Sequence, residues 1–569
     1  MKNNKTVSLY TAAGEHLTGM PWNAYPRPQM RRDSFFCLNG EWDFSANGGP
    51  WESIRVPFAP ESLLSGICRD MGKRPQLLYR RRFSLPDGFQ KGRVLLHFGA
   101  VDQIATVTLN GTPLGKHVGG YEAFCFDITR HLAEENLLEV QVTDQLENHI
   151  LPYGKQRRKR GGMWYTPVSG IWQTVWCESV PDAYIRSLDI TTGADFAEIS
   201  ANGISSGTVT VHTPEGKKQA PLTQGRARIT LETPRLWSPE DPYLYEFTLS
   251  AGEDEVHSYF ALRTLTVESV DGLPRLCLNG EPYFFHGLLD QGYFSDGIFT
   301  PATPEGYAND ILAARSLGFN TLRKHIKVEP EQFYYDCDRL GMIVFQDMVN
   351  NGDYSFLRDT ALPTIGMKKL CDKWLHPSKK TRKAFEDGMQ ATVRQLKNHP
   401  CICYWTVFNE GWGQFDSKTQ YKALKALDNS RFIDTASGWF SGAPSDVESP
   451  HVYFKPVKLK PSEKPILLSE FGGYSYKPKG HVFNPYKTYG YRFFEDRRLF
   501  EDALIALYEK EILPATSKGL CGAIYTQLSD VEDETNGLLS YDRRVVKVSA
   551  DKMKTIAAQL KAAVKNRMP

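Results

Sequence analysis

The chain has 569 residues, 41% of them hydrophobic and 24% charged, with a formal net charge of +2. That length exceeds what one hydrophobic core can serve and points to several domains, while the near-neutral charge argues against a nucleic-acid-binding protein or another polyanion binder. Residues 1–8 contain no apolar run of signal-peptide length, no later stretch reaches about 20 uninterrupted apolar residues, and the ten cysteines show no CxxC spacing, so a cytoplasmic protein with no membrane association is expected.

From about residue 30 to 180 the pattern is that of an antiparallel β-sandwich. Ile104–Leu109 leads through Asn110-Gly111 into Thr112-Pro113-Leu114, a hairpin whose turn residues tolerate positive φ. Leu38-Asn39-Gly40 sets up a similar turn ahead of Glu41-Trp42-Asp43-Phe44, and apolar and polar residues alternate from Leu138 to Val142. The basic run Lys155-Gln156-Arg157-Arg158-Lys159-Arg160 reads as a solvated loop in preference to a phosphate-binding patch. Residues 181–267 are again strand-like and have the length of one immunoglobulin-like β-sandwich.

Past Leu278-Asn279-Gly280, strands alternate with helices. Eight apolar segments, at residues 283–288, 320–323, 342–346, 402–407, 432–435, 451–454, 466–470 and 522–527, are counted. Between them lie amphipathic helices such as the one carrying Phe385, Met389, Val393 and Leu396. With a closing helix over 549–565, this pattern predicts a (β/α)8 barrel over residues 268–569. Cys401 and Cys403 alternate within one apolar segment, which favours core packing over metal ligation.

Two of these segments end on a glutamate: Trp405-Thr406-Val407-Phe408-Asn409-Glu410-Gly411 and Ile466-Leu467-Leu468-Ser469-Glu470-Phe471-Gly472. Barrel strands that end in acids aim them into one mouth, and a pair of carboxyl groups is the minimal apparatus for glycoside cleavage. The alternative is a pair of surface carboxylates at helix starts, where the helix dipole favours them. Asp290, Asp347 and Asp530 also lie near strand ends, and His325, His451, Asp347 and Asp530 supply metal-ligand types without a recognised spacing.

The chain resembles glycoside hydrolase family 2, which contains β-galactosidases, β-glucuronidases and β-mannosidases, over nearly its whole length. Tyr25-Pro26-Arg27-Pro28, the Leu38 to Phe44 block, Val56-Pro57, Tyr79-Arg80-Arg81 and Gly170-Ile171-Trp172-Gln173 are similar to its sugar-binding-like, jelly-roll first domain, here residues 1–180. Leu236-Trp237-Ser238-Pro239 and Pro242-Tyr243-Leu244-Tyr245 resemble the second, immunoglobulin-like domain. The resemblance implies a retaining mechanism with Glu410 as acid/base and Glu470 as nucleophile. It implies substrate contacts by Asn409, by Tyr453 against the nucleophile, and by His451, Arg323 and His325, the last two standing one residue closer than the family's Arg-x-x-His block, while Trp439, in Ser437-Gly438-Trp439, offers a ring either to stack on a sugar's apolar face or to pack beneath a loop. It further implies no cofactor, a glycoside or oligosaccharide substrate, and a homo-oligomer.

Departures fall where the sugar is read. Asp290, in Leu289-Asp290-Gln291-Gly292-Tyr293, stands where the family has Asn-x-His-Glu/Asp, and binds a sugar hydroxyl or shapes a loop. Tyr525 replaces a common tryptophan of strand eight and would take over its stacking role. The β-glucuronidase Asn-x-Lys motif becomes Asn536-Gly537-Leu538, with Arg543 or Arg544 as possible substitutes for the lysine. A β-galactosidase is therefore the first expectation, with β-glucuronidase, α-L-arabinosidase or β-mannosidase as alternatives. A non-catalytic carbohydrate-binding protein is the competing class.

Overall fold

The structure is a computed structural model and describes residues 6–364, 372 and 378–565. In its first sandwich, alternation dictates the layers: along Asn136–Thr143, Leu138, Val140 and Val142 are buried while Gln141 faces solvent. A six-stranded antiparallel sheet runs in the order Glu52–Val56, Gly40–Ala46, Gln76–Phe83, Asn136–Thr143, Ile104–Leu109, Thr112–Val118. A four-stranded sheet of Phe36–Cys37, Val175–Val180, Arg93–Phe98 and Phe124–Asp127 accompanies it. Trp42, Phe44, Tyr79, Leu96, Val107 and Val140 belong to their common core.

The hairpin at Asn110-Gly111 is present, with φ of 51° and 75°. Leu38-Asn39-Gly40 differs from the expected turn, because Phe36–Cys37 pairs in the four-stranded sheet and Gly40–Ala46 in the six-stranded one. The segment is a crossing between layers. Buried Asn39 anchors it, donating from Nδ2 to Thr174 Oγ1 at 3.2 Å and accepting at Oδ1 from Val175 N at 3.0 Å.

The immunoglobulin-like domain is a seven-stranded antiparallel sheet ordered Ser187–Thr192, Phe196–Asn202, Arg226–Thr230, Gly216–Thr223, Ser206–Thr213, Tyr245–Ala251, Asp254–Phe260. It has its own core, including Ile199, Val209, Phe247, Leu249 and Val256. Leu265–Val270 runs across position 267 and pairs with Leu273–Leu278 in a small sheet. Arg275, from that sheet, donates to Leu520 O at 3.0 Å and Thr516 O at 2.8 Å beneath the barrel.

Each of the eight apolar segments forms a barrel strand: β1 Phe285–Asp290, β2 Thr321–Lys324, β3 Ile343–Asp347, β4 Ile402–Asn409, β5 Phe432–Ser437, β6 His451–Val452, β7 Ile466–Gly472 and β8 Leu520–Thr526. They are ordered β5-β4-β3-β2-β1-β8-β7-β6, all parallel. A parallel bridge between Gly438 and Pro450 joins β5 to β6 and closes the ring. Covered on both faces, the strands read as apolar runs without alternation. The helix Lys379–Leu396 buries Phe385, Met389, Val393 and Leu396, and Ser378 caps it by accepting from Thr381 N. Ala550–Lys565 closes the outer layer with Met553, Ile556, Leu560 and Val564. Among the described residues no helix is long and apolar enough to cross a membrane.

Candidate active site

Glu410 follows β4 and Glu470 lies near the end of β7. Parallel strands end at one rim, so the two acids share a mouth. An oxygen of each and a ring nitrogen of His451 lie within 4.8 Å of one another. His451 is paired in register with Glu470 through β6 and sits between the acids. Its Nδ1 is 2.8 Å from Glu410 Oε1, and its Nε2 is 3.6 Å from Glu470 Oε1 and 2.7 Å from Ser437 Oγ.

Glu410 turns into the mouth through a left-handed backbone, φ 54°, a conformation that a residue with a Cβ adopts only when its surroundings enforce it. Its N–H donates to Ser437 O and its carbonyl accepts from Trp439 Nε1, both at 2.9 Å. Gly411 continues the turn at φ 73°, where a Cβ would meet the Phe440 ring at 2.3 Å. Trp439 also sets its ring edge-on to His451, centroids 5.6 Å apart.

Glu470 is gripped from both sides. Arg323 Nη1 donates to Oε1 at 3.1 Å, and the Tyr453 hydroxyl donates to Oε2. Burial pushes the Glu470 pKa up, but His451, Arg323, His325 and the Tyr453 bond together outweigh it and hold the carboxyl below the ordinary glutamate range. Arg323 also donates to Asp347 Oδ1 at 3.0 Å and to Asn409 Oδ1 at 2.9 Å. Asn409 thus accepts from the guanidinium, and no acceptor among the described residues takes its Nδ2. His325 Nδ1 lies 2.8 Å from Asp347 Oδ2, and burial lowers its pKa. Tyr453 stacks on Tyr491 with centroids 3.9 Å apart.

The basic run at 155–160 is a strap over the barrel mouth, not a solvated loop. Tyr153 donates to Asn350 O and Gly352 O at 3.1 and 2.8 Å. Arg157 lies over the Trp164 ring at 3.9 Å, and Arg160 pairs with Glu532 and Asp533 at 3.4 and 3.5 Å. Trp164 packs edge-on against Trp412 at 5.0 Å and Tyr354 at 5.1 Å. The Tyr165 hydroxyl donates to Glu534, which also accepts from Asn536 Nδ2 at 2.9 Å. The sequence alone singled out none of Trp164, Tyr165, Trp412, Tyr491 and Glu534, and Lys155 only as part of the run expected to be solvated. The one available signal was tryptophan and tyrosine interleaved with cations between the two sheet-forming regions.

Several anticipated contacts are engaged elsewhere. Asp290 accepts from Lys324 Nζ at 2.6 Å and from Gly292 N at 2.9 Å, so it neutralises a buried lysine and shapes its loop. Tyr525 is fully buried, its ring packed where a Cβ on Gly472 would fall at 2.3 Å, and it offers no face for stacking. Arg543 pairs with Asp310 at 3.1 Å and Arg544 with Glu15 at 2.5 Å. Asp530 pairs with Lys547 at 2.6 Å, and Asp347 is already bound by Arg323 and His325, so the four suggested metal-ligand residues do not assemble. Among the described residues only Glu410, His451 and Glu470 cluster closely enough to hold an ion, and the Arg323 guanidinium already supplies positive charge there.

Three models of one family match the chain. A glycosyl hydrolase 2 galactose-binding domain-like model covers residues 66–199, the glycosyl hydrolases family 2 model residues 187–263, and the family 2 TIM barrel model residues 275–538. The β-galactosidase of Thermoanaerobacter pseudethanolicus is 25% identical over 78% of this chain and 60% of its own length. A β-glucuronidase of Bacteroides fragilis is 23% identical over 76% of this chain and 68% of its own. A β-D-glucuronidase structure from Dictyoglomus thermophilum superposes with a TM-score of 0.73 at 18% identity, covering 94% of this chain and 98% of that one. With a sugar-binding-like sandwich, an immunoglobulin-like sheet and an eight-stranded barrel in that order, the chain belongs to glycoside hydrolase family 2.

Proposed function

We propose that the protein is a retaining exo-glycosidase that removes terminal β-linked sugars by double displacement. The observation that carries this reading is the approach of the Glu410 and Glu470 oxygens to within 4.8 Å, since retaining enzymes hold their carboxyls about 5 Å apart and inverting ones leave about 6.5–9.5 Å for water. Glu470 attacks the anomeric carbon as Glu410 protonates the departing oxygen, giving a covalent glycosyl-enzyme. Glu410 then takes a proton from water, the water oxygen bonds to the anomeric carbon, and Glu470 leaves with its electron pair.

The surroundings suit these roles. Arg323 and Tyr453 keep Glu470 ionised, as a nucleophile requires. His451 shares a hydrogen bond with Glu410, placing a proton donor and acceptor beside the residue that must alternate between acid and base. Asn409 presents its Nδ2 for a sugar hydroxyl. The glycone is a galactoside or a uronide, the classes named for the relatives.

Glu470→Gln should lower kcat on 4-nitrophenyl β-galactoside and β-glucuronide by at least about 1,000-fold without changing the circular dichroism spectrum. Turnover at the wild-type rate would refute the assignment. So would an inverted anomer as the first product seen by proton NMR.

A further inference from the structure

The mouth of the site contains a cation that the two-carboxylate reaction does not use. Lys155, on the strap from the first sandwich, is only 8% exposed. Each of the other buried lysines among the described residues has a carboxylate: Lys324 has Asp290 at 2.6 Å, Lys327 has Glu329 at 2.8 Å, and Lys547 has Asp530 at 2.6 Å. Lys155 has no carboxylate at salt-bridge distance and no side-chain hydrogen bond among the described residues. Its Nζ lies 5.8 Å from the centroid of the Trp164 ring. The side chain is buried up to an ammonium that opens on the mouth with no anion in contact, so an anionic ligand bound there would be favoured over a neutral one.

Its position shows which ligand that would be. Tyr165 N donates to Lys155 O at 3.0 Å, fixing Lys155 beside Tyr165 at the barrel mouth. On one side a Cβ on the neighbouring Gly154 would stand 2.7 Å from Ile326 O, next to His325, and on the other the Trp164 ring beside Nζ packs at 5.0 Å on Trp412, two residues past Glu410. The ammonium therefore lies at the mouth that Glu410 and Glu470 share, where the glycone ring must sit. Glu534 makes no ion pair with it among the described residues, and its oxygens accept from Tyr165 and Asn536. Arg543 and Arg544 are bound to Asp310 and Glu15 and leave this position to Lys155.

We propose that Lys155 binds the carboxylate of an anionic glycone, a hexuronic acid, and is the specificity-determining residue that selects it over the matching neutral hexose. The substrate then completes an ion pair that the fold leaves open, and a neutral sugar would leave the ammonium unpaired. This inference rests on the retaining-glycosidase reading above.

The test compares matched pairs, 4-nitrophenyl β-D-glucuronide with β-D-glucoside and β-D-galacturonide with β-D-galactoside, in wild type, Lys155→Met and Lys155→Arg. One uronide should exceed its neutral partner in kcat/KM, and Lys155→Met should lower that ratio by about 100-fold, with Lys155→Arg restoring a substantial part. A wild-type preference for the neutral member would overturn the proposal, as would a Lys155→Met loss equal on both members. Binding separates the two readings: Glu470→Gln, titrated calorimetrically with D-glucuronate, D-galacturonate and the neutral sugars, should favour a uronate, and adding Lys155→Met should abolish the preference. Equal affinity for uronates and neutral sugars would overturn the Lys155 assignment even where Glu470→Gln has abolished turnover.

Discussion

At the scale of single residues, the contest around Glu470 is between burial, which disfavours its charge, and the cations and hydroxyl that favour it. The latter prevail. Because the folded pKa lies below that of an unfolded glutamate, about 4.3, ionised Glu470 favours the fold above that pH, and the contribution fades as pH falls through the folded pKa. The same ordering keeps the nucleophile charged well into acid. Tyr453→Phe removes one donor to Oε2 and should raise the Glu470 pKa, moving the acid limb of kcat/KM up by about one pH unit and lowering kcat about 10–100-fold. A pH profile of the variant over the acid range checks this. An unshifted limb would mean that Tyr453 only packs against Tyr491.

At the scale of elements, the strap over residues 149–168 determines which side chains of the first sandwich reach the barrel. Its passage requires Gly154: φ is 64°, and a Cβ there would stand 2.7 Å from Ile326 O. Gly154→Ala should cost about 1–3 kcal/mol locally and should raise KM more than it lowers kcat, since the strap carries Lys155 and Trp164 and neither acid. Steady-state kinetics and urea unfolding together check both halves. Most of the barrel strands were legible in the sequence because parallel strands covered on both faces are largely apolar runs, with β2, Thr321-Leu322-Arg323-Lys324, an exception, and Glu410 and Glu470 were legible because each ends such a run. The strap was not, because Arg158 and Arg160 are neutralised by Asp70, Glu532 and Asp533, residues up to hundreds of positions away, and local composition alone reads as solvated. A related reason left both readings of Asp290 open and hid that Tyr525 is packed away from the sugar. Their strand positions were right, but the lysine and the glycine that engage them are visible only in the packing.

At the scale of the whole molecule, the barrel is tied to the neighbouring domain through a few buried residues, and Asp338 is one of them. It lies in the barrel helix Glu331–Leu340. Its Oδ2 accepts from Tyr259 of the immunoglobulin-like domain and lies against His399 Nδ1, both at 2.7 Å, and its Oδ1 accepts from Cys401 N at 2.8 Å at the base of β4. Its carbonyl accepts from Trp237 Nε1 at 2.7 Å, which explains physically why a tryptophan stands in the Leu236-Trp237-Ser238-Pro239 block. Arg263 adds a second tie, donating to Pro400 O at 2.6 Å and Ile402 O at 2.7 Å. The strand that ends in Glu410 is therefore fastened at its other end to the neighbouring domain, and loosening that end should be felt at the site. Asp338→Ala leaves the Cys401 N–H without its acceptor in the interior and Tyr259 and His399 with only each other, at 3.2 Å, a loss of about 2–4 kcal/mol. Urea unfolding followed by tryptophan fluorescence should show a lower midpoint and a second transition as the two domains uncouple, with kcat falling in parallel. An unchanged midpoint with a single transition would place the coupling in Arg263 instead.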